Sequence, residues 1–110
     1  MNIHGMTMYV SDTAEAGVVS SDTIIRFIQQ GSRVMGRYSG GAVTRGWLIG
    51  HLSNERTLAF RYVQRETSGE VHAGRSICDV IRLDNGKLRI LEHFSWRTKQ
   101  GAGTNVFDEL

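Results

Sequence analysis

Apolar and polar residues alternate with a period of two along much of this chain, and the clearest stretch is Lys87–Trp96. Leu88, Ile90, Phe94 and Trp96 fall on one face together with Glu92. Arg89, His93 and Ser95 fall on the other, with Leu91 the one apolar residue there. Alternation over this length predicts a half-buried strand. Glu92 is then a carboxylate on the inward face. A buried carboxylate has to be paired, hydrogen-bonded or driven neutral. The segment therefore predicts one wall of a core with a polar spot in it.

The rest of the chain divides at turn signals. After a lead-in over residues 1–5, Gly5–Val10 predicts a first strand, and Ser11–Ser21 reads as a polar connection. Thr23–Gln30 favours a strand through its β-branched density, with Ile25, Phe27 and Gln29 on one side. Its Ile24, Ile25, Phe27 and Ile28 also suit a helix face with Gly31 as C-cap. Gly31-Ser32 turns the chain into Arg33–Tyr38, and Ser39-Gly40-Gly41 marks a tight reversal. In Ala42–Leu52, Val43, Trp47 and Ile49 share a face with Arg45, and Thr44, Gly46, Leu48 and Gly50 share the other. Ser53-Asn54-Glu55 is the next turn. Leu58–Gln64 then puts Leu58, Phe60 and Tyr62 on one face. Thr67-Ser68-Gly69 leads into a long segment, Glu70–Leu83. Asp84-Asn85-Gly86 is the strongest hairpin signal, because Asn-Gly accepts the positive φ angles of such turns. Gln100–Gly103 is a last turn before a short strand, Thr104–Leu110.

Roughly eight strands joined by short turns form an antiparallel up-and-down meander. A flat sheet of that length leaves two open edges, and closure into a small barrel removes both. The predicted fold is all-β: an eight-stranded up-and-down barrel or half-barrel, with a single domain spanning residues 1–110. An open half-barrel covered by a helix at Thr23–Gln30, or by a second subunit, is the rival. Thirteen glycines and no proline set this chain apart. Gly36, Gly46, Gly50 and Gly74 would serve curvature or leave room inside.

Composition narrows the function classes. The chain has 110 residues, 40% hydrophobic and 22% charged, as in an ordinary globular protein. The formal charge is +2 and the basic residues are scattered without a run, so no nucleic-acid footprint is indicated. No apolar run is long enough to span a bilayer as a helix, and no targeting segment leads the chain. Cys78 is the only cysteine, which excludes an internal disulfide and fits a cytoplasmic location.

Glu92 heads the candidate chemistry. If the apolar face of each strand points inward, Tyr38, Tyr62, Ser76 and Trp96 converge with it as a ligand pocket, and Phe60 and Phe94 add apolar wall. The plainer alternative is a structural ion pair with an arginine such as Arg61 or Arg75. Arg37–Ala42, RYSGGA, matches the R/Q-x-x-G-x-A pyrophosphate loop of the GNAT acetyltransferases, yet Val43-Thr44-Arg45-Gly46-Trp47 after it reads as a strand and not a helix. A plain hairpin turn is the simpler reading. His4, His51, His72 and His93 show no metal-ligand spacing, so neither metal nor cofactor is predicted. Cys78 reads as a small packing residue. If Leu48 points inward, Val43, Trp47 and Ile49 form an outward apolar stripe that suggests a homodimer.

Taken with Tyr38-Ser39-Gly40-Gly41, Gly46, Leu48-Ile49, Arg61-Tyr62, Gly74, Asp84-Asn85-Gly86 and Glu92–Trp96, the chain resembles a family. It looks like the small bacterial proteins of similar length that carry the label N-acetylglutamate synthase, from Ser20-Ser21-Asp22-Thr23 to Asp108-Glu109. The resemblance implies a compact antiparallel barrel related in shape to avidin and lipocalin-type binders. The label implies acetyl transfer from acetyl-CoA to glutamate, with no catalytic residues to carry over. Three functions thus stand side by side: an interior binder of a small molecule, an acetyltransferase, and a packed interaction module acting as a homodimer.

Overall fold

The computed structural model describes residues 2–110. The elements are β1 (Thr7–Asp12), β2 (Ile24–Gln30), β3 (Arg33–Gly40), β4 (Val43–Ser53), β5 (Thr57–Glu66), β6 (Val71–Arg82), β7 (Leu88–Trp96) and β8 (Ala102–Glu109). Each strand pairs antiparallel with the next, and β8 returns to pair with β1. The sheet is a closed up-and-down barrel, so the half-barrel is set aside. Thr23–Gln30 holds β2 and no helix: Ile25 and Phe27 point inward and Arg26 and Ile28 outward, the alternation a strand imposes. No helix among the described residues is long and apolar enough to cross a membrane.

The seam is at β1. It registers with β2 only from Thr7 to Tyr9, whereas β4 and β5 run together from Val43 to Ser53. A long connection over residues 13–23 replaces the tight turns used elsewhere. Asn85-Gly86 makes the β6–β7 hairpin with Gly86 at φ +84°, a conformation that favours glycine.

Inward residues fill the barrel in layers. At the end bearing the β2–β3, β4–β5 and β6–β7 turns, Phe27, Val34, Leu58, Val80, Leu88 and Ile90 are buried. The lead-in does more than begin the chain there. Ile3 is wholly buried, Gly5 donates its N–H to the Phe27 carbonyl, and Phe27 donates its own to Met6. Residues 3–6 plug that end of the barrel.

Two face assignments at the start of β4 are corrected, since Thr44, grouped with Gly46 and Leu48, is exposed. Val43 is buried, not part of the outward stripe with Trp47 and Ile49. The register slips between Tyr38 and Gly40 on β3 and between Val43 and Arg45 on β4. A bulge sets two residues against one and resets the alternation, so strict period two fails at the start of β4. Trp47 and Ile49 stay outside, 44% and 54% exposed.

Candidate functional site

The opposite end of the barrel carries the β3–β4, β5–β6 and β7–β8 turns and the 13–23 connection. A cavity lies beneath them, lined by Tyr38, Phe60, Tyr62, Glu92, Phe94 and Trp96 on the barrel wall. Of the seven side chains the sequence puts forward, these six reach the cavity, while Ser76 stands behind Glu92 and touches it only through that carboxylate.

Period two on β7 brings Glu92 inward, between Ile90 and Phe94. No arginine meets it. Arg61 and Arg75 point outward to solvent, so the ion-pair alternative is replaced by neutral partners. The Ser76 hydroxyl donates to Glu92 Oε2 at 2.7 Å, and the Asn105 amide donates to Oε1 at 2.9 Å. Burial pushes the Glu92 carboxyl above the usual range, and these two donors pull it back only in part. Burial, then the nearby Glu92 charge, also raises the phenols of Tyr38 and Tyr62 and the thiol of Cys78. Each of these four groups is thus biased to its uncharged form, and no Lys, Arg or His side chain lines the cavity.

The aromatic wall is ordered edge to face. Tyr62 and Trp96 lie 5.4 Å apart, Phe94 and Trp96 6.0 Å, and Phe60 and Tyr62 6.1 Å between centroids, the spacing that ring quadrupoles favour. On the far side the Tyr38 hydroxyl donates to Gln64 Oε1 at 2.9 Å, and Gln64 Nε2 donates to Glu66 Oε2 at 3.0 Å. This buried chain runs from the cavity to the rim.

The 13–23 connection, read from sequence as a polar link, is the roof. Gly17, Val18 and Val19 line the cavity from above. Two hydrogen bonds hold them down: Ala14 donates its N–H to Asn105 Oδ1 at 2.9 Å, and Trp96 Nε1 donates to the Ala16 carbonyl at 2.8 Å. With the roof in place the cavity admits the centre of a water-sized sphere over only about 30 Å³. That is room for a water or two.

Over residues 1–110 the sequence matches the family described as Avidin-like protein. The chain belongs to the avidin-like family. No curated protein and no solved structure matches it. Family and closed barrel together support small-molecule binding as the class of function, since an eight-stranded barrel is the size that holds one small ligand.

The acetyltransferase motif finds no support in this avidin-like barrel. Arg37–Ala42 runs from the end of β3 through its turn to β4, so no helix N-terminus is there to cradle a pyrophosphate. Its glycines answer a steric need. A Cβ on Gly40 would strike the Asp22 carbonyl, and one on Gly41 would strike the Ser20 hydroxyl, where the roof rejoins β2.

Sequence reasoning missed Gln64, Asn105 and the roof residues Gly17–Val19. Gln64 continues the inward series Leu58, Phe60, Tyr62 by one step, so the alternation contained it. Asn105 sits inward on β8, cross-strand from Glu92. Nothing in the spacing of residues 13–23 signals a roof, because irregular chain has no period.

Proposed function

We propose that this avidin-like barrel binds a small uncharged or cationic molecule beneath the 13–23 roof, at Glu92. One observation carries the reading: a carboxylate buried in an aromatic cavity, held by two neutral donors, with no cation beside it. A buried carboxyl costs stability unless it is hydrogen-bonded and paired, and Glu92 has two hydrogen bonds but no counter-charge. No Lys, Arg or His side chain lines the cavity to hold an anionic ligand beside that carboxyl.

The roof's own hydrogen bonds support a ligand of particular shape. It presents a peptide N–H to Asn105 Oδ1 and a peptide carbonyl to Trp96 Nε1. When it lifts, Asn105 Oδ1 and Trp96 Nε1 each lose that partner. A ligand with a donor and an acceptor side by side, as in an amide, replaces both bonds and leaves its apolar body against Phe60, Phe94 and Trp96. Ser76 positions Glu92, while Tyr38 and Tyr62 supply hydroxyls.

Two-dimensional amide NMR tests this. The labelled protein is titrated with anionic, neutral and cationic fractions of a metabolite extract. Shifts at Gly17–Val19, Glu92 and Asn105 with the neutral or cationic fraction support the reading. Shifts there with the anionic fraction alone, or none from any fraction, overturn it.

A second reading, self-association through Trp47 and Ile49, rests on the exposed apolar row that these residues form with Met35 and Val63. Arg37, Arg45 and Arg61 share that wall and form no ion pair among the described residues. Two such faces repel, so a homodimer should tighten as salt screens them. Light scattering at low and high ionic strength measures this, and a monomer at both would remove the reading. The buried, unpaired thiol of Cys78 suits a cytoplasmic protein.

A further inference from the structure

The hairpin between β5 and β6 gathers three metal-ligating side chains at the cavity rim. Glu66 ends β5, Glu70 comes just after the turn, and His72 is the second residue of β6. One ligand atom from each lies within 4.8 Å of the other two. The hairpin geometry fixes this arrangement. Glu66 donates its N–H to the Glu70 carbonyl at 2.8 Å, closing the neck of the turn. His72 stands cross-strand from Gln64, the residue that holds Glu66.

A histidine–glutamate hydrogen bond alone would be the plain account, and the distances fit it poorly. His72 Nε2 lies 3.4 Å from Glu70 Oε1, whereas a charge-assisted bond closes to about 2.7–2.9 Å. A spacing of about 3.4 Å is what two ligands on one tetrahedral zinc ion show, given metal–ligand bonds of about 2.0–2.2 Å. The other ring nitrogen is already engaged: His72 Nδ1 meets Thr98 Oγ1 at 2.9 Å, and Thr98 Oγ1 in turn accepts the Ala73 N–H. Such an outer contact fixes the ring and leaves Nε2 free to ligate.

Glu66 supplies a second, independent observation. It is 8% exposed, and its one hydrogen bond, from the Gln64 amide, goes to Oε2. Oε1 accepts no hydrogen bond among the described residues. Neither Glu66 nor Glu70 is paired with a lysine or arginine among them. Among the described residues no buried side-chain oxygen lacks a partner, so Glu66 Oε1 opens to solvent at the rim, free to ligate, on a carboxylate with no counter-charge.

We propose that Glu66, Glu70 and His72 form a binding site for a first-row divalent transition-metal ion at the rim of the barrel. One imidazole and two carboxylates suit zinc and its neighbours in that row. Glu66 links the site through Gln64 to the Tyr38 hydroxyl in the cavity, and the His72 ring lies 6.0 Å from that of Trp96. An ion bound there bears on the pocket wall at both residues.

Zinc titrated into the full chain by calorimetry is the test, with the side-chain amide of Gln64 followed by NMR. One equivalent should bind, and the Gln64 resonance should move with it. His72→Ala and Glu70→Gln should each weaken binding about tenfold or more. Glu70 and His72 lie at the rim, so neither change threatens the core; Glu66→Gln is the third variant, its fold checked by the amide spectrum. His93→Ala should bind zinc as the unaltered protein does, because His93 and Asp79 form a separate surface pair. No saturable binding, or binding that survives His72→Ala, or binding lost with His93→Ala, would overturn the site.

Discussion

Tyr38 and Gly46 face each other across β3 and β4, and the Tyr38 ring occupies the volume that a Cβ on residue 46 would need. The pattern repeats around the barrel. Tyr62 lies over Gly74 and Phe94 over Gly103, each pair cross-strand neighbours. Large against none is how the narrow interior takes three rings without strain. Gly46→Ala should therefore destabilise the fold by about 1–3 kcal/mol, the usual cost of overpacking. Denaturant unfolding measures it. The double variant Gly46→Ala with Tyr38→Leu should recover part of that loss; no recovery would mean that Gly46 is needed for another reason.

Glu92→Leu separates a used carboxylate from a merely costly one. Where a buried charge is only a cost, a leucine in a filled barrel would stabilise. The structure reverses that sign, because Ser76 and Asn105 both donate to Glu92 and would be left unsatisfied. A loss of about 1–3 kcal/mol per stranded donor is expected. Equilibrium unfolding of Glu92→Leu beside Glu92→Gln, which keeps an acceptor, decides it: Leu should be the less stable of the two.

Glu92 and Asp108 should shape the pH profile in opposite directions. The folded-state pKa of Glu92 is raised by burial, so its contribution to stability is complete below the unfolded value and is lost as pH rises through the folded value. Asp108 is held low by hydrogen bonds from Arg89, at 2.8 and 3.2 Å. Its contribution is present above the unfolded value and is lost as pH falls through the folded one. Glu92→Gln should flatten the decline on the rising side, and Asp108→Asn should flatten the acid limb. Stability measured from pH 3 to 8 in steps checks both; unchanged curves would refute the assignments.

The roof should loosen when its pins are removed. Asn105→Ala deletes the acceptor for the Ala14 N–H and a donor to Glu92 together. Hydrogen exchange at Ala14 and Gly17 should quicken by about tenfold or more, for a net loss of at least about 1.4 kcal/mol in local stability. Trp96→Phe removes the bond to the Ala16 carbonyl and trims the ring but keeps both Asn105 bonds, and should have the smaller effect. Equal protection in all three proteins would show that packing of Val18 and Val19 holds the roof without help.

The strands and most of the inner wall come from local chemistry. Alternation placed Leu88, Ile90, Glu92, Phe94 and Trp96 on one face, and Asn85-Gly86 and Gly31 marked turns where the backbone needs positive φ. Those signals are carried within a few residues, so a single chain reveals them. Features that depend on residues distant in sequence stayed hidden. Val43 turns inward because bulges on two strands shift register, and a bulge has no period of its own. Glu92 meets Asn105 and not an arginine because the pairing of β7 with β8 sets the two opposite each other in that register. The roof is pinned over the cavity by Asn105 and Trp96, some 80 and more residues along the chain, which offer hydrogen bonds to irregular chain passing above them. Periodicity reports the face a side chain takes, whereas the partner it meets is set by pairing and closure, which only the folded barrel supplies.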